Sequence, residues 1–134
     1  MKVVVHVDGG ARGNPGPAAV AAVASTPDGE ELAERKLYIG DATNNVAEYR
    51  ALLLGLELAH DLGAEEVEVI NDSELIAYQI GGEYKVKNAG LKPLYTQAMR
   101  ELRGFHKWAV RPVRREQNAR ADALVNEALD EALA

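Results

Sequence analysis

The chain predicts an α/β domain built on a five-stranded mixed β-sheet, three antiparallel strands followed by two parallel ones, with helices on both faces. Three observations carry that prediction. Residues 2–8 form a β-branched run. Thr26-Pro27-Asp28-Gly29 separates two further apolar runs and is a strong turn signal, so those runs should form a hairpin. Beyond residue 43 helical and strand patterns alternate, and strands reached through helical crossovers lie parallel. The resulting order is βββαβααβα.

The first strand is continuously apolar instead of alternating, which predicts a central position buried on both faces. The loop after it, Gly9-Gly10-Ala11-Arg12-Gly13-Asn14-Pro15-Gly16-Pro17, is rich in glycine. It matches neither GxGxxG nor GxxxxGK[ST], and Pro15 and Pro17 forbid a helix from starting there, so it is not a nucleotide-phosphate loop. Residues 18–25 and 31–39 are the second and third strands. Asn44 or Asn45 is placed to cap a helix running to Leu62, which Gly63 closes. Residues 65–70 alternate as a fourth strand. Asn71-Asp72-Ser73 ends that strand and caps a helix to Ile80, broken by Gly81-Gly82. A basic connection to Asn88 leads to a helix over 91–103, a last strand over 105–113 and a closing helix over 118–133. His6 shares a strand face with Asp8 and is expected in the core, as is Trp108. His60 and His106 read as surface or strand-end positions, and Tyr84, among Lys85 and Lys87, is a candidate contact to a nucleic-acid backbone or sugar.

With 134 residues the chain is expected to form one domain, residues 1–134, large enough to bury a real core. It has no cysteine, which excludes disulfides and thiolate metal sites and fits a cytoplasmic setting. No apolar run approaches the ~20 residues a membrane span needs, and no secretory leader is visible at the start. A monomer is expected, and the Ala/Leu-rich end over residues 128–134 leaves room for a fused domain. Net charge is −6, which taken alone argues against nucleic-acid binding. Its distribution argues otherwise. Residues 84–115 hold nine cations and one acid, a local balance of +8, leaving −14 on the remainder. A local basic face, not the whole-chain charge, is what meets phosphates.

Four carboxylates stand out. Asp8 ends the first strand and Asp72 the fourth, and open α/β sheets gather ligands beyond the carboxyl ends of their strands. Each could equally end a strand or cap a helix. Glu48 is more informative. Arg50, Glu57 and Asp61 mark the solvent side of its helix, while Leu52, Gly55 and Ala59 lie near Glu48 itself, so this acid should face the sheet. A capping box from Asn45 would explain a glutamate there but not an inward one. Asp122 lies on the edge of the apolar stripe of the last helix, near Val125 and Leu129. Four converging acids would repel one another unless divalent cations joined them. Hard Mg²⁺ or Mn²⁺ suits carboxylate oxygens, and two such ions support phosphoryl chemistry.

Beyond this the motifs resemble type 1 ribonuclease H over nearly the whole chain. Asp8 to Pro17 resembles that family's opening DGS-x-x-GNPG motif, and Thr43-Asn44-Asn45-Val46-Ala47-Glu48 its TNN-x-x-E. Asn71-Asp72-Ser73 resembles its T/N-D-S, and Asn118-Ala119-Arg120-Ala121-Asp122 its N-x-x-x-D. The resemblance implies a ribonuclease H-like fold and an endonuclease that cuts the RNA strand of RNA/DNA hybrids, leaving 3′-hydroxyl and 5′-phosphate ends, with double-stranded RNA a further candidate. It implies that Asp8, Glu48, Asp72 and Asp122 ligate two metal ions. Asn14, Asn44 and Asn45 would touch the minor groove, where the 2′-hydroxyl distinguishes RNA. Thr43 and Asn88 would hold a DNA-strand phosphate, with Lys87 beside them, and Gly9 and Arg12 would lie along the substrate.

Three departures from the pattern are visible. The family often carries a histidine in the loop before the last helix; Val113-Arg114-Arg115-Glu116-Gln117 has none, leaving Arg115 or Glu116 for proton transfer or product release. The basic protrusion many members insert is missing, because residues 80–88 are too short to hold it. Glu74 stands where some members carry glutamine. The rival readings are a non-catalytic nucleic-acid-binding module and a DNA-directed nuclease of resolvase or transposase type on the same fold. All four acids being present argues against the first, and the asparagines against the second.

Overall fold

A computed structural model describes residues 1–134. Strands β1 (Lys2–Ala11), β2 (Gly16–Ser25) and β3 (Glu31–Ala42) are followed by α1 (Asn44–Asp61), β4 (Glu66–Asn71), α2 (Glu74–Ile80), α3 (Lys92–Arg103), β5 (Lys107–Pro112) and α4 (Ala119–Ala132). The sheet order is β3-β2-β1-β4-β5. β1 runs antiparallel to β2 and parallel to β4, β2 is antiparallel to β3, and β4 is parallel to β5. The expected mixed sheet is therefore present, with α1–α3 on one face and α4 on the other.

Two local expectations change. Gly9–Ala11 is not loop: these residues extend β1 and pair with Ala18–Val20, so only residues 12–15 turn. Glycine and alanine can pair in a ladder like any residue, and the long partner strand draws them in. The strand with both faces buried is β2, not β1. Val3, Val5 and Val7 are fully buried under α1, whereas Val4 and His6 on the other face are only half covered. His6 is accordingly not a core residue. Trp108 packs at the margin of the larger core, half-buried.

The helix ends follow from capping chemistry. Thr43, not Asn44 or Asn45, caps α1, its Oγ1 accepting from the Val46 N–H at 3.2 Å. Ser73 caps α2 through Oγ, accepting from Ile76 N–H at 3.3 Å. Leu62 and then Gly63, at φ +79°, close α1. A 3₁₀ turn over Arg115–Asn118 precedes α4, so the last helix starts one residue later than its apolar pattern suggests.

Packing on both faces exploits small residues. β2 contributes Ala19 and Ala21 to the α4 side and Ala22 and Ala24 to the α1 side. Gly55 lets α1 lie flush on β1, because a Cβ there would stand 2.4 Å from Val7 Cγ1 and 3.0 Å from Val5 Cγ1. The edge strand β3 is clamped from both sides by alternation. Arg35 meets Asp61 of α1 at 2.7 Å, while Lys36 meets Glu131 of α4 at 2.7 Å and Glu34 takes Arg120 of α4 through both carboxylate oxygens. Each exposed pair contributes at most ~1 kcal/mol, so they fix the edge more than they stabilise the fold. No helix is long and apolar enough to cross a membrane.

The expected effect of Gly55→Ala is a loss of about 1–3 kcal/mol, because the new methyl meets branched, immobile valines. Urea unfolding of the two proteins measures it; equal midpoints would mean that α1 can lift from β1 without cost.

Candidate active site

The parallel pairing of β1 with β4 stops at His6↔Ile70, and the two strands part just beyond. Asp8 sits on β1 past that point and Asp72 on the turn after β4, so both acids lie where the sheet splits. Their backbones have fixed positions. Asp8 is still paired with Ala21 of β2, and Asn71 Oδ1 accepts the Ser73 N–H at 2.8 Å, folding the chain tightly around Asp72.

Glu48 arrives from above. The first turn of α1 crosses β1 so closely that a Cβ on Gly9 would stand 2.2 Å from the Ala47 carbonyl oxygen. No side chain fits there, which is why the residue after Asp8 must be glycine for Glu48 to reach the acid. The inward orientation expected of Glu48 is present: Arg50 and Glu57 are exposed, Leu52 and Ala59 buried. The capping-box explanation fails, since Thr43 is the cap. Asp122 comes from the first turn of α4.

The groove between these elements is lined by Asp8, Glu48, Asp72 and Asp122, with Arg12, Asn44, Asn45 and Arg115 around them. Electrostatics record the crowding. Burial, followed by the charges of Asp72 and Asp122, a hydrogen bond with Asp122 and the charge of Glu48, pushes the Asp8 carboxyl from 3.8 up to about 8. Burial also raises Glu48, opposed by a hydrogen bond from the Ser73 hydroxyl. Asp72 is raised by burial too, against the pull of Arg115, whose Nε stands 4.0 Å from Asp72 Oδ2. A site that retains a proton near neutrality is short of positive charge.

The donors are all carboxylate oxygens, the chain has no cysteine, and no histidine lines the groove. That set fits a hard divalent cation and not zinc. The four acids share one groove, but as they stand no three of them are gathered closely enough to ligate a single ion together.

The asparagines form a brace beside the acids. Asn14 Oδ1 accepts the Asn44 N–H at 3.1 Å, and Asn44 Oδ1 accepts the Ala11 N–H at 2.9 Å. Both side-chain acceptors are thus occupied within the protein, while the two Nδ2 groups donate to nothing in it. Asn45 is exposed beside them. Arg12 does not project freely: its Nη2 donates to Asp130 Oδ1 at 2.7 Å and Asn126 Oδ1 at 3.4 Å on α4. Glu74 is exposed in the first turn of α2, and Glu116 in the 3₁₀ turn. Lys87 and Asn88 lie in the exposed connection before α3, outside the groove lining. Asn88 Oδ1 accepts the Gly90 N–H at 2.7 Å.

Two buried polar residues beside the acids are motif positions to which the sequence assigned no part in the site: Asn71, 5% exposed, and Asn118, 1% exposed. Their signal was an amide in the position just before Asp72 and one turn before Asp122, on otherwise apolar strand and helix patterns.

A sheet of this order, split between its first and fourth strands with acids gathered at the split, is a ribonuclease H-like architecture. The profile of the family described as "Reverse transcriptase-like" matches residues 6–128. The crystal structure of RNase H1 from Halobacterium salinarum superposes with a TM-score of 0.96 at 44% identity, over 98% of this chain and 99% of that one. LC11-RNase H1 in complex with an RNA/DNA hybrid gives a TM-score of 0.94 at 44% identity, over 98% and 99% of the respective chains. The bifunctional protein Rv2228c of Mycobacterium tuberculosis is 50% identical over 133 residues, and the chain spans only 36% of its length. The chain belongs to the type 1 ribonuclease H family.

One consequence of the crowded site is a pH-dependent stability. Asp8 titrates higher in the folded chain than in the unfolded one, so its contribution is full below its ordinary value of 3.8 and is lost as pH rises through about 8. In metal-free buffer Asp8→Asn is expected to be more stable than the wild type by on the order of 1–3 kcal/mol near pH 8, and so to unfold at a higher temperature, with little difference near pH 4. Thermal scans across that range test this, and a mutant less stable at the alkaline end would refute it.

Proposed function

We propose that the chain is a divalent-metal-dependent endonuclease hydrolysing the RNA strand of RNA/DNA hybrids. The observation that carries the reading is one groove lined by four carboxylates from four separate segments of the chain. The hybrid-bound relative, which shares this fold over nearly its whole length, supports the substrate class.

Asp8, Glu48, Asp72 and Asp122 would hold two ions, Mg²⁺ or Mn²⁺. When bound, these supply the activation of a water for in-line attack and the stabilisation of the leaving oxygen. The protein's own part is to keep four carboxylates close at the split of the sheet and to give up the proton that Asp8 retains. The expected products are 3′-hydroxyl and 5′-phosphate ends. Arg115, anchored weakly by Asp72 and otherwise exposed, stands where it can meet a phosphate or leaving group, with Glu116 next to it to carry a proton.

Selectivity for RNA would rest on the asparagine brace. With both Oδ1 atoms engaged internally, Asn14 and Asn44 present only donors, and a minor groove presents base acceptors and 2′-hydroxyl oxygens. Gly9 and Asn45 line the same groove; Thr43 would hold a DNA-strand phosphate and Glu74 would meet the RNA. Lys87 and Asn88 would take a DNA-strand phosphate from the connection before α3. The exposed cations over residues 85–107 would add sequence-independent attraction, sensitive to salt. The chain is expected to act as a monomer in the cytoplasm. The greater length of Rv2228c favours the idea of a fused second domain in the whole protein.

Labelled RNA/DNA hybrid, double-stranded RNA and double-stranded DNA, incubated with Mg²⁺ or Mn²⁺, test the reading. The expected result is cleavage confined to the RNA strand of the hybrid, with double-stranded RNA as a weaker substrate and DNA intact. Asp72→Asn should lower the rate by more than about 100-fold, since losing a ligand costs more than losing its support. Asn44→Ala should raise KM about 10-fold with a smaller effect on kcat, each lost groove contact being worth ~1–3 kcal/mol. No metal-dependent cleavage of the hybrid, or full activity in Asp72→Asn, would sink the enzyme; cleavage of DNA would favour the resolvase-like rival.

A further inference from the structure

The β1–β4 ladder ends at His6↔Ile70, and the split that creates the groove begins with Val7. At that point the 3₁₀ turn before α4 inserts a side chain. Asn118 Nδ2 donates to the Val7 carbonyl at 2.8 Å, across 111 residues of sequence, at a fully buried contact. The amide therefore holds the β1 backbone one residue past the last rung. It is attached at one end to the residue before Asp8. At the other end it sits at the N-cap of α4, one helical turn before Asp122, which is half-buried in the first turn.

Stability alone does not explain this choice. Asn118 is 1% exposed, and its Oδ1 is buried without a hydrogen-bond donor. A buried acceptor left unpaired costs about 1–3 kcal/mol. At the N-cap an asparagine would ordinarily turn its oxygen to the helix N–H groups, but Asn118 makes no such capping bond. The side chain forgoes the cap and leaves an acceptor empty in order to hold Val7. What that contact fixes is the spacing between the strand that carries Asp8 and the helix that carries Asp122, two acids that line the same groove.

Building on the metal-nuclease reading, we propose that Asn118 is a positioning residue: its amide locks β1 to the start of α4 and thereby sets the affinity of the acidic groove for divalent cations. It touches neither substrate nor ion. Outer-shell supports of this kind typically change metal affinity by 10–100-fold when removed.

The test is a Mn²⁺ titration followed by thermal unfolding. For Asn118→Ala the Mn²⁺ concentration giving half the maximal rise in Tm should increase roughly 10–100-fold relative to wild type. Hybrid binding in metal-free buffer should be unchanged, since the residue is buried away from the substrate. Tyr49→Phe is the control. It deletes another buried side-chain hydrogen bond, Tyr49 Oη to Gln79 Oε1 at 2.6 Å, between α1 and α2. It should lower Tm in metal-free buffer while leaving the Mn²⁺ midpoint within about 2-fold of wild type. Asn118→Ser fills more of the space with a hydroxyl too short to reach Val7, and should show the same shift should the alanine variant fail to fold.

An unmoved midpoint in a folded Asn118 variant, with only Tm reduced, would make the residue purely structural and overturn the proposal. A wild-type protein that neither gains stability from Mn²⁺ nor cleaves the hybrid would instead overturn the metal-nuclease reading, and the positioning role with it.

Discussion

Mutual repulsion among four carboxylates is the condition on which the rest of this structure depends. Left to themselves, Asp8, Glu48, Asp72 and Asp122 would swing apart into water. Each is prevented by the backbone that carries it. Asp8 is locked in a ladder with β2, Asp72 in an asparagine turn, Glu48 in a helix pressed onto a glycine, and Asp122 in the first turn of a helix buried against β2. The raised Asp8 carboxyl reflects its burial first and that conflict second. A dication resolves it more fully than a proton does, because it neutralises several acids at once.

The small side chains of β2 and the glycines of β1 and α1 serve the same end. Ala19, Ala21, Ala22 and Ala24 allow one helix on each face of the sheet to approach closely, so that acids from α1 and α4 can reach a single groove. Larger residues would fill the layers just as well but would hold the helices farther out. The ion pairs along β3 then keep the edge strand against both helices, away from the groove and without contributing much energy of their own.

Charge is distributed with similar division of labour. The acidic bulk of the chain sets its overall sign, while the basic stretch from Lys85 to Arg115 runs through the connection, α3 and β5 to the margin of the groove. Arg115 is the point where the two meet, near enough to Asp72 to offset its charge and exposed enough to leave it. Arg12 also lines the groove, but it is tied to Asp130 and Asn126 of α4.

Much of this was legible in the residues. The strand and helix order, the hairpin at Pro27-Asp28-Gly29 and the inward face of Glu48 follow from periodicity and turn chemistry, which are local properties. The four acids were legible as candidates for the same reason: each has a position on an element that can be read within a dozen residues. What locality could not decide was partnership. Gly9–Ala11 became strand because β2 was there to pair with it, and Thr43 took the cap because Asn14 and Asn44 were engaged with each other and with Ala11. The role of Asn118 depends on an atom 111 residues away in sequence, so no window along the chain contains it, whereas the turn made by Asn71 is local. The sequence by itself determined which side chains were available and which way their elements faced. Only the tertiary structure decided that β1 and β4 part after His6, and that parting makes the groove, because a ladder's end is set by both strands and by whatever fills the gap between them.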